Sequence, residues 1–207
     1  MLDSRLRPLI DPPLKWMGEG LYRTGLSPNH VTLLGLGVGL LALPALALGA
    51  YGWALFLIAL NRLMDGLDGA LARVWTQRGQ SNSPFGGFLD ISADFIFYGA
   101  IPLGFALANP SANALAASFL LSAFLATGTS FLAFAILAEQ HGFTTQARGK
   151  KSFYYLGGLA EGTETIAVFI LACLIPAWFP WIALIYALIC WLTVLIRFFE
   201  VRSHFID

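Results

Sequence analysis

The sequence predicts an all-α integral membrane protein: six transmembrane helices behind an N-terminal interfacial amphipathic segment, with both termini in the cytoplasm. Three observations carry this reading. Of 207 residues, 57% are hydrophobic and 12% charged, about half the charged share of a soluble domain, and the mean hydropathy is +0.72. A disordered chain and an ordinary water-soluble globule are thereby excluded. The apolar residues gather in runs long enough for membrane helices, which need about 20 residues each. The basic residues fall only in alternate connectors.

Taken in order, residues 1–30 mix Leu, Ile, Trp and Tyr with Arg5, Arg7, Lys15, Arg23 and three acids. No apolar stretch there has signal-peptide length. The segment reads as a retained amphipathic piece lying at the interface, broken up by Pro12 and Pro13; a part in shaping the mouth of a site is the alternative. The first span covers 31–50, with Pro44 tolerated in a membrane helix. The second opens as YGWALFLIAL at Tyr51 and turns polar at NRLMDGLDGALAR, so only its first half suits lipid. The third, 85–108, carries Asp90 and Asp94 near its start; the fourth is 112–138, the fifth 155–176 and the sixth 178–199. Short apolar connectors near 50–52, 109–112 and 176–180 make antiparallel hairpins. Neither an internal repeat nor a second domain is visible, giving an amphipathic juxtamembrane segment 1–30, a six-helix transmembrane domain 31–199 and a cytoplasmic tail 200–207.

The twelve Lys and Arg lie in residues 1–30, 62–84, 139–153 or at Arg197 and Arg202. Under the positive-inside rule these segments are cytoplasmic, which demands an even number of spans. A net charge of zero gives no reason to expect a nucleic-acid partner. Cys173 and Cys190 sit within apolar runs and read as small hydrophobes. His30, His141 and His204 are isolated at interfaces and read as having no chemical role.

Four acids, Asp65, Asp68, Asp90 and Asp94, fall within membrane-helix stretches. At about 2.5–3.5 kcal/mol for one Asp at the bilayer centre, a purely structural bundle would not keep all four uncompensated. Asp65 and Asp68 are three residues apart, Asp90 and Asp94 four, so each pair shares a helix face. A short polar connector, 74–85, allows the two faces to converge. Carboxylates without His or Cys are hard oxygen ligands suited to Mg²⁺, Mn²⁺ or Ca²⁺, and two such ions would cancel four negative charges. The small residues Gly66, Gly69, Ala72 and Gly86 either clear room for a ligand or serve close helix packing. Arg73, five residues after Asp68, stands at the membrane edge, where a guanidinium can fork onto phosphate.

The pattern Asp65-x-x-Asp68-Gly69-x-x-Ala72-Arg73 followed by Gly86-x-x-x-Asp90-x-x-x-Asp94 resembles the signature of the class I CDP-alcohol phosphatidyltransferases. The Ser27-Pro28-Asn29-x-x-Thr32 lead into the first span, the chain length and the topology are similar to the family as well. The twelve residues 74–85 exceed the eight or nine usual at this point, a loop insertion that is cheap in closure entropy. The resemblance implies phospholipid synthesis by metal-dependent transfer of a phosphatidyl group from CDP-diacylglycerol to a small water-soluble alcohol, with CMP released. It also implies a site for Mg²⁺ or Mn²⁺, two ions, made by Asp65, Asp68, Asp90 and Asp94. Asp90 and Asp94 would be catalytic, Asp94 the candidate general base, and Gly69, Ala72, Arg73, Gly86, Asn29 and Thr32 would line the CDP moiety. Spacing alone does not choose the base, since any carboxylate not fully engaged by metal qualifies.

For the acceptor, Arg148, Lys150, Lys151 and Arg197 read either as a pocket for a phosphate, as on glycerol 3-phosphate or inositol phosphate, or as topological charge and anionic-lipid contacts. Glu161 and Glu164, on one face of the fifth span, could pair with those lysines, face the metals, or receive the amine of serine or choline. Tyr154 and Tyr155 read as cation–π partners or as an aromatic belt. The lean is to a phosphorylated polyol, with an amino alcohol as the alternative. A membrane prenyltransferase would need more spans and lacks the Gly-x-x-Ala-Arg continuation; a divalent-cation transporter would need acids reaching both sides of the membrane. The site is expected to face the cytoplasm, from the inner membrane in a bacterium, and the apolar outer faces permit a homodimer.

Overall fold

Apolar segments in a bilayer must close their backbone hydrogen bonds internally, and the chain does so with helices. The structure is a computed structural model that describes residues 3–80, 84–141 and 159–205. Among these residues it contains α1 (Asp3–Arg23), α2 (Pro28–Leu40), α3 (Ala42–Ala47), α4 (Tyr51–Gln77), α5 (Pro84–Ala108), α6 (Pro110–Gln140), α7 (Gly162–Leu174), a single 3₁₀ turn at Pro176–Trp178, and α8 (Phe179–Phe205). Four stretches are long and apolar enough to cross a membrane: Pro28–Ala47, Pro84–Ala108, Pro110–Gln140 and Pro176–Ser203. The protein is an integral membrane protein. α4 spans 27 residues, about 40 Å at 1.5 Å per residue, but its second half is polar, and the described part of α7 is a shorter apolar helix.

One expectation is corrected. Residues 1–30 are not broken by Pro12 and Pro13: α1 runs through both. Both prolines are exposed, so the carbonyls they leave without a donor one turn earlier can be hydrated. The first span, Pro28–Ala47, tolerates Pro44; it is interrupted only at Leu41, between α2 and α3, because Pro44 has no N–H to offer the carbonyl of Leu40.

Local sequence sets the helix ends that matter for the site. Ser27 accepts from the His30 amide at 3.4 Å, with Pro28 as the first helical residue, a combination that favours helix initiation. α4 closes with Gly79 at φ 77°: its amide bonds the Thr76 carbonyl at 3.1 Å and that of Gln80 the Trp75 carbonyl at 3.0 Å, the paired bonds of a Schellman end that only glycine enters without strain. At the opposite end of the bundle, Asn109 alone separates α5 from α6 and caps α6 through the Ala112 amide at 3.3 Å.

The core is aromatic and small-residue rich. Phe97, Phe105, Phe124, Phe169 and Tyr186 are buried with Ala54, Ile58, Ile101 and Ala183. The Phe105 and Phe179 rings stack at 4.2 Å, joining α5 to α8. α2 approaches α4 closely because Gly35 and Gly39 remove side chains from the shared face, the small-residue packing typical of membrane helices. A Cβ at Gly39 would lie 2.7 Å from Asn61 Nδ2 and 2.7 Å from Phe97 Cδ2. Asn61 Nδ2 also donates to the Gly35 carbonyl at 2.8 Å. α1 lies on the polar half of α4, where Leu14, Leu67, Ala70 and Leu71 form a second buried cluster.

Candidate metal centre and active site

The second half of α4 and the first half of α5 bring their carboxylates together, as the spacing requires. One carboxylate oxygen from each of Asp65, Asp68 and Asp90 lies within 4.8 Å of the other two. The span across a coordination shell is about 4.2 Å for Mg²⁺ and about 4.6–5.2 Å for Ca²⁺, twice the metal–oxygen distance. The three oxygens, with no sulfur or imidazole among the donors, therefore fit a hard divalent cation after small adjustment. Asp68 is the buried member, Asp65 is half-buried and Asp90 is exposed, so the cluster runs from the helix interface to the open side.

Asp68 is aligned from α2. Thr32 Oγ1 donates to Asp68 Oδ2 at 2.6 Å, and both residues are buried. A buried carboxylate needs such a donor. Sequence reasoning had placed Thr32 against the nucleotide; its hydroxyl is engaged with Asp68.

Asp94 lines the same cleft and faces Arg62. Its Oδ1 lies 3.0 Å from Arg62 Nη1, and Asp65 Oδ2 lies 3.6 Å from the same nitrogen. The Arg62 side chain is 18% exposed. Its Nε donates to Asn61 Oδ1 at 2.9 Å, and its Cζ sits 4.9 Å from the Phe97 centroid and 5.7 Å from that of Tyr98. Thr32, Asn61, Arg62, Asp65, Asp68 and Asp94 line one cleft between α2, α4 and α5. Arg62 and Asn61 were missed as site residues. The available signal was Arg62 three residues before Asp65 in a membrane helix, since a cation at that depth requires a partner.

The remaining expected residues divide. Asn29 and Gly86 are neighbours: a Cβ on Gly86 would lie 3.1 Å from Asn29 Oδ1. Gly69 lies beneath Arg73, whose Nη1 is 3.7 Å from its Cβ direction; Ala72 is half-buried on the same helix. The Arg73 guanidinium turns toward α1, 3.5 Å from Asp11 Oδ1, beside a second cleft lined also by Lys15 and Gln77. Arg197 is buried between α8 and α6, donating from Nη1 to the Thr127 carbonyl at 2.8 Å and to Ser130 Oγ at 3.3 Å. Glu161 and Glu164 sit at the N-terminus of α7, where acids also complement the helix dipole. Arg148, Lys150, Lys151, Tyr154 and Tyr155 lie outside the described residues.

A helical membrane bundle with an all-carboxylate cation cluster on two adjacent helices defines a class of integral membrane proteins with a hard-metal site. Comparison with known proteins narrows this class. The sequence model described as CDP-alcohol phosphatidyltransferase matches residues 26–199. The chain is 54% identical over 197 residues to the inner membrane protein YnjF of Escherichia coli, covering 95% of this chain and 93% of that one. It is 36% identical over 104 residues to the archaetidylinositol phosphate synthase of Pyrococcus horikoshii, about half of each chain at 50% and 53%. The fold is that of Mycobacterium tuberculosis phosphatidylinositol phosphate synthase (PgsA1): with CDP-DAG bound, TM-score 0.72 at 22% identity over 92% of this chain and 94% of that one; in complex with manganese and citrate, TM-score 0.65 at 23% identity over 91% and 88%. The chain belongs to the CDP-alcohol phosphatidyltransferase family, transferases of phospholipid biosynthesis.

Proposed function

We propose that this enzyme moves the phosphatidyl group of CDP-diacylglycerol to a phosphorylated polyol, releasing CMP at the cytoplasmic face of a six-span bundle whose termini are both cytoplasmic. The observation that carries the reading is the Asp65–Asp68–Asp90 oxygen cluster standing on the family's own motif. The acceptor class is supported by relatives whose names give an inositol phosphate product, a Pyrococcus archaetidylinositol phosphate synthase and a Streptomyces avermitilis phosphatidylinositol phosphate synthase, and by the basic residues expected on the acceptor side, Arg148, Lys150 and Lys151. Inositol phosphate is the first acceptor to try and glycerol 3-phosphate the second.

In this mechanism Asp65, Asp68 and Asp90 would hold Mg²⁺ or Mn²⁺, a reading that the manganese in the PgsA1 complex supports, and a metal bound there would supply charge neutralisation and polarisation at the diphosphate. Asn29, Gly69, Ala72 and Gly86 line the nucleotide side, and Arg73, freed from Asp11, forks onto a phosphate. The acceptor hydroxyl oxygen forms a bond to the phosphorus that bears diacylglycerol, the bond from that phosphorus to the oxygen of CMP breaks, and Asp94 takes the hydroxyl proton. Phosphoryl transfer of this kind asks for positioning and electrostatics more than for a covalent nucleophile.

The test is CMP release by the purified protein from CDP-diacylglycerol with Mn²⁺ or Mg²⁺ and a panel of inositol phosphate, glycerol 3-phosphate, serine and choline. Release with a phosphorylated polyol is expected. Release with serine or choline alone would overturn the acceptor assignment, and no release across the panel would overturn the reaction.

A further inference from the structure

α1 and α4 touch along a tight seam and part beside it. A Cβ on Gly18 would stand 3.2 Å from the Ala70 carbonyl carbon, and one on Gly66 3.0 Å from Leu14 Cδ1, so small residues let the two helices meet. On one flank of the seam lies a cavity of about 380 Å³, within the range of small-molecule sites. Two stripes of helical spacing line it: Asp11 and Lys15 on α1, and Ala70, Arg73, Val74 and Gln77 on α4. Ala70 and Val74 are buried and give an apolar floor, while the four polar residues are exposed and form the rim.

Charge and position decide what fits there. Lys15 and Arg73 bring two positive charges against the single negative charge of Asp11. The Arg73–Asp11 pair, at 3.5 Å and with side chains 55% and 54% exposed, contributes little, whereas a phosphate engages a guanidinium through two parallel hydrogen bonds. Trp16, next to Lys15, is 77% exposed, and an open tryptophan on an amphipathic helix belongs at the boundary of lipid and water. The cavity therefore opens among lipid headgroups, and it joins two cations and an amide to an apolar floor, for which a free anion has no use.

We propose that the cleft between α1 and α4 binds the headgroup of an anionic phospholipid. Lys15 and Arg73 take the phosphate, Asp11 yields Arg73 to it, Gln77 offers its amide to the headgroup, and Ala70 and Val74 receive the glycerol end of the acyl chains. Ala70 is two residues on from Asp68 and Val74 nine on from Asp65, which places the floor on the opposite side of α4 from those carboxylates. The site is thus separate from the carboxylate cleft and does not depend on the reaction proposed above; Arg73 is the residue that the two share.

The test is native mass spectrometry of the purified full chain in detergent, titrated separately with phosphatidylglycerol, phosphatidylcholine and inorganic phosphate. Phosphatidylglycerol is expected to bind tightest. Lys15→Gln should weaken it roughly fivefold, the contribution of one basic contact at a headgroup surface, and Lys15→Arg should restore it. Asp11→Asn should tighten it about two- to fivefold by releasing Arg73. Arg23→Gln, at an exposed position of the same helix outside the cleft, should leave it unchanged. Phosphatidylcholine bound as tightly as phosphatidylglycerol would overturn the anionic headgroup, and displacement of the lipid by equimolar inorganic phosphate would overturn the lipid as the source of the phosphate. Full affinity in Lys15→Gln, no tightening in Asp11→Asn, or an equal loss in Arg23→Gln would overturn the site. The readout is binding and not turnover, so a failure here leaves the transferase reading standing, and absence of CMP release leaves this site standing.

Discussion

Replacing Thr32 by valine removes one hydroxyl at nearly constant volume. Thr32 Oγ1 lies 2.6 Å from Asp68 Oδ2 and 3.1 Å from the Pro28 carbonyl. A hydroxyl has a single proton, and the shorter contact, to a charged acceptor, takes it. The residues are 8% and 6% exposed, so water cannot readily replace the lost donor. A hydrogen bond to a charged group contributes about 1.5–3 kcal/mol; at about 1.4 kcal/mol per tenfold, Thr32→Val should weaken Mn²⁺ binding roughly 10- to 100-fold, the range found when partners of metal ligands are removed. Calorimetric titration with Mn²⁺ and the Mn²⁺ dependence of CMP release should both register the shift. Thr32→Ser, which keeps the hydroxyl, should recover most of it. A folded Thr32→Val that binds Mn²⁺ within about twofold of the wild type, or a serine variant as weak as the valine one, would refute the assignment of Thr32 as the group that orients Asp68.

Asp68→Asn and Asp90→Asn should each abolish turnover while the chain remains inserted in the membrane; near-wild-type CMP release by either would overturn the metal site. Gly39→Ala should lower thermal stability in detergent by about 1–3 kcal/mol through overpacking, because its methyl would stand 2.7 Å from Asn61 Nδ2; an unchanged melting temperature would show that α2 and α4 separate easily. Asp11→Asn should change stability by less than about 1 kcal/mol, since Arg73 and Asp11 are 55% and 54% exposed; a larger loss in a melting curve would mean that this pair fastens α1.

The convergence of Asp65, Asp68 and Asp90 was legible because helical periodicity fixes which side chains share a face, and because acids are too costly in a bilayer to be incidental. The pairing of Arg62 with Asp94 was not legible. Thirty-two positions separate the two residues, and their meeting depends on how α4 is rotated against α5, which Gly39, Asn61 and Phe97 decide through contact. The same holds for Thr32, drawn to Asp68 across a helix pair. Pro12 and Pro13 misled because a proline breaks a helix only where its orphaned carbonyl cannot be hydrated, a matter of exposure that sequence does not state. Pro44 was legible as tolerable, since the span runs through it from Pro28 to Ala47, with one interruption at Leu41.

The divided character of α4 bears on how the protein is made. Segments are sorted into a bilayer largely by their own apolar content, and α4 is not among the described helices that pass on that ground. Its polar positions are answered by α2: the Gly35 carbonyl accepts from Asn61, and Thr32 donates to Asp68. α2 leaves the ribosome first, so the partner that makes α4 acceptable to lipid is already in place when α4 emerges. On this reading α2 and α4 favour entering the membrane as a pair, and the contacts that align the α4 carboxylate would also serve its insertion.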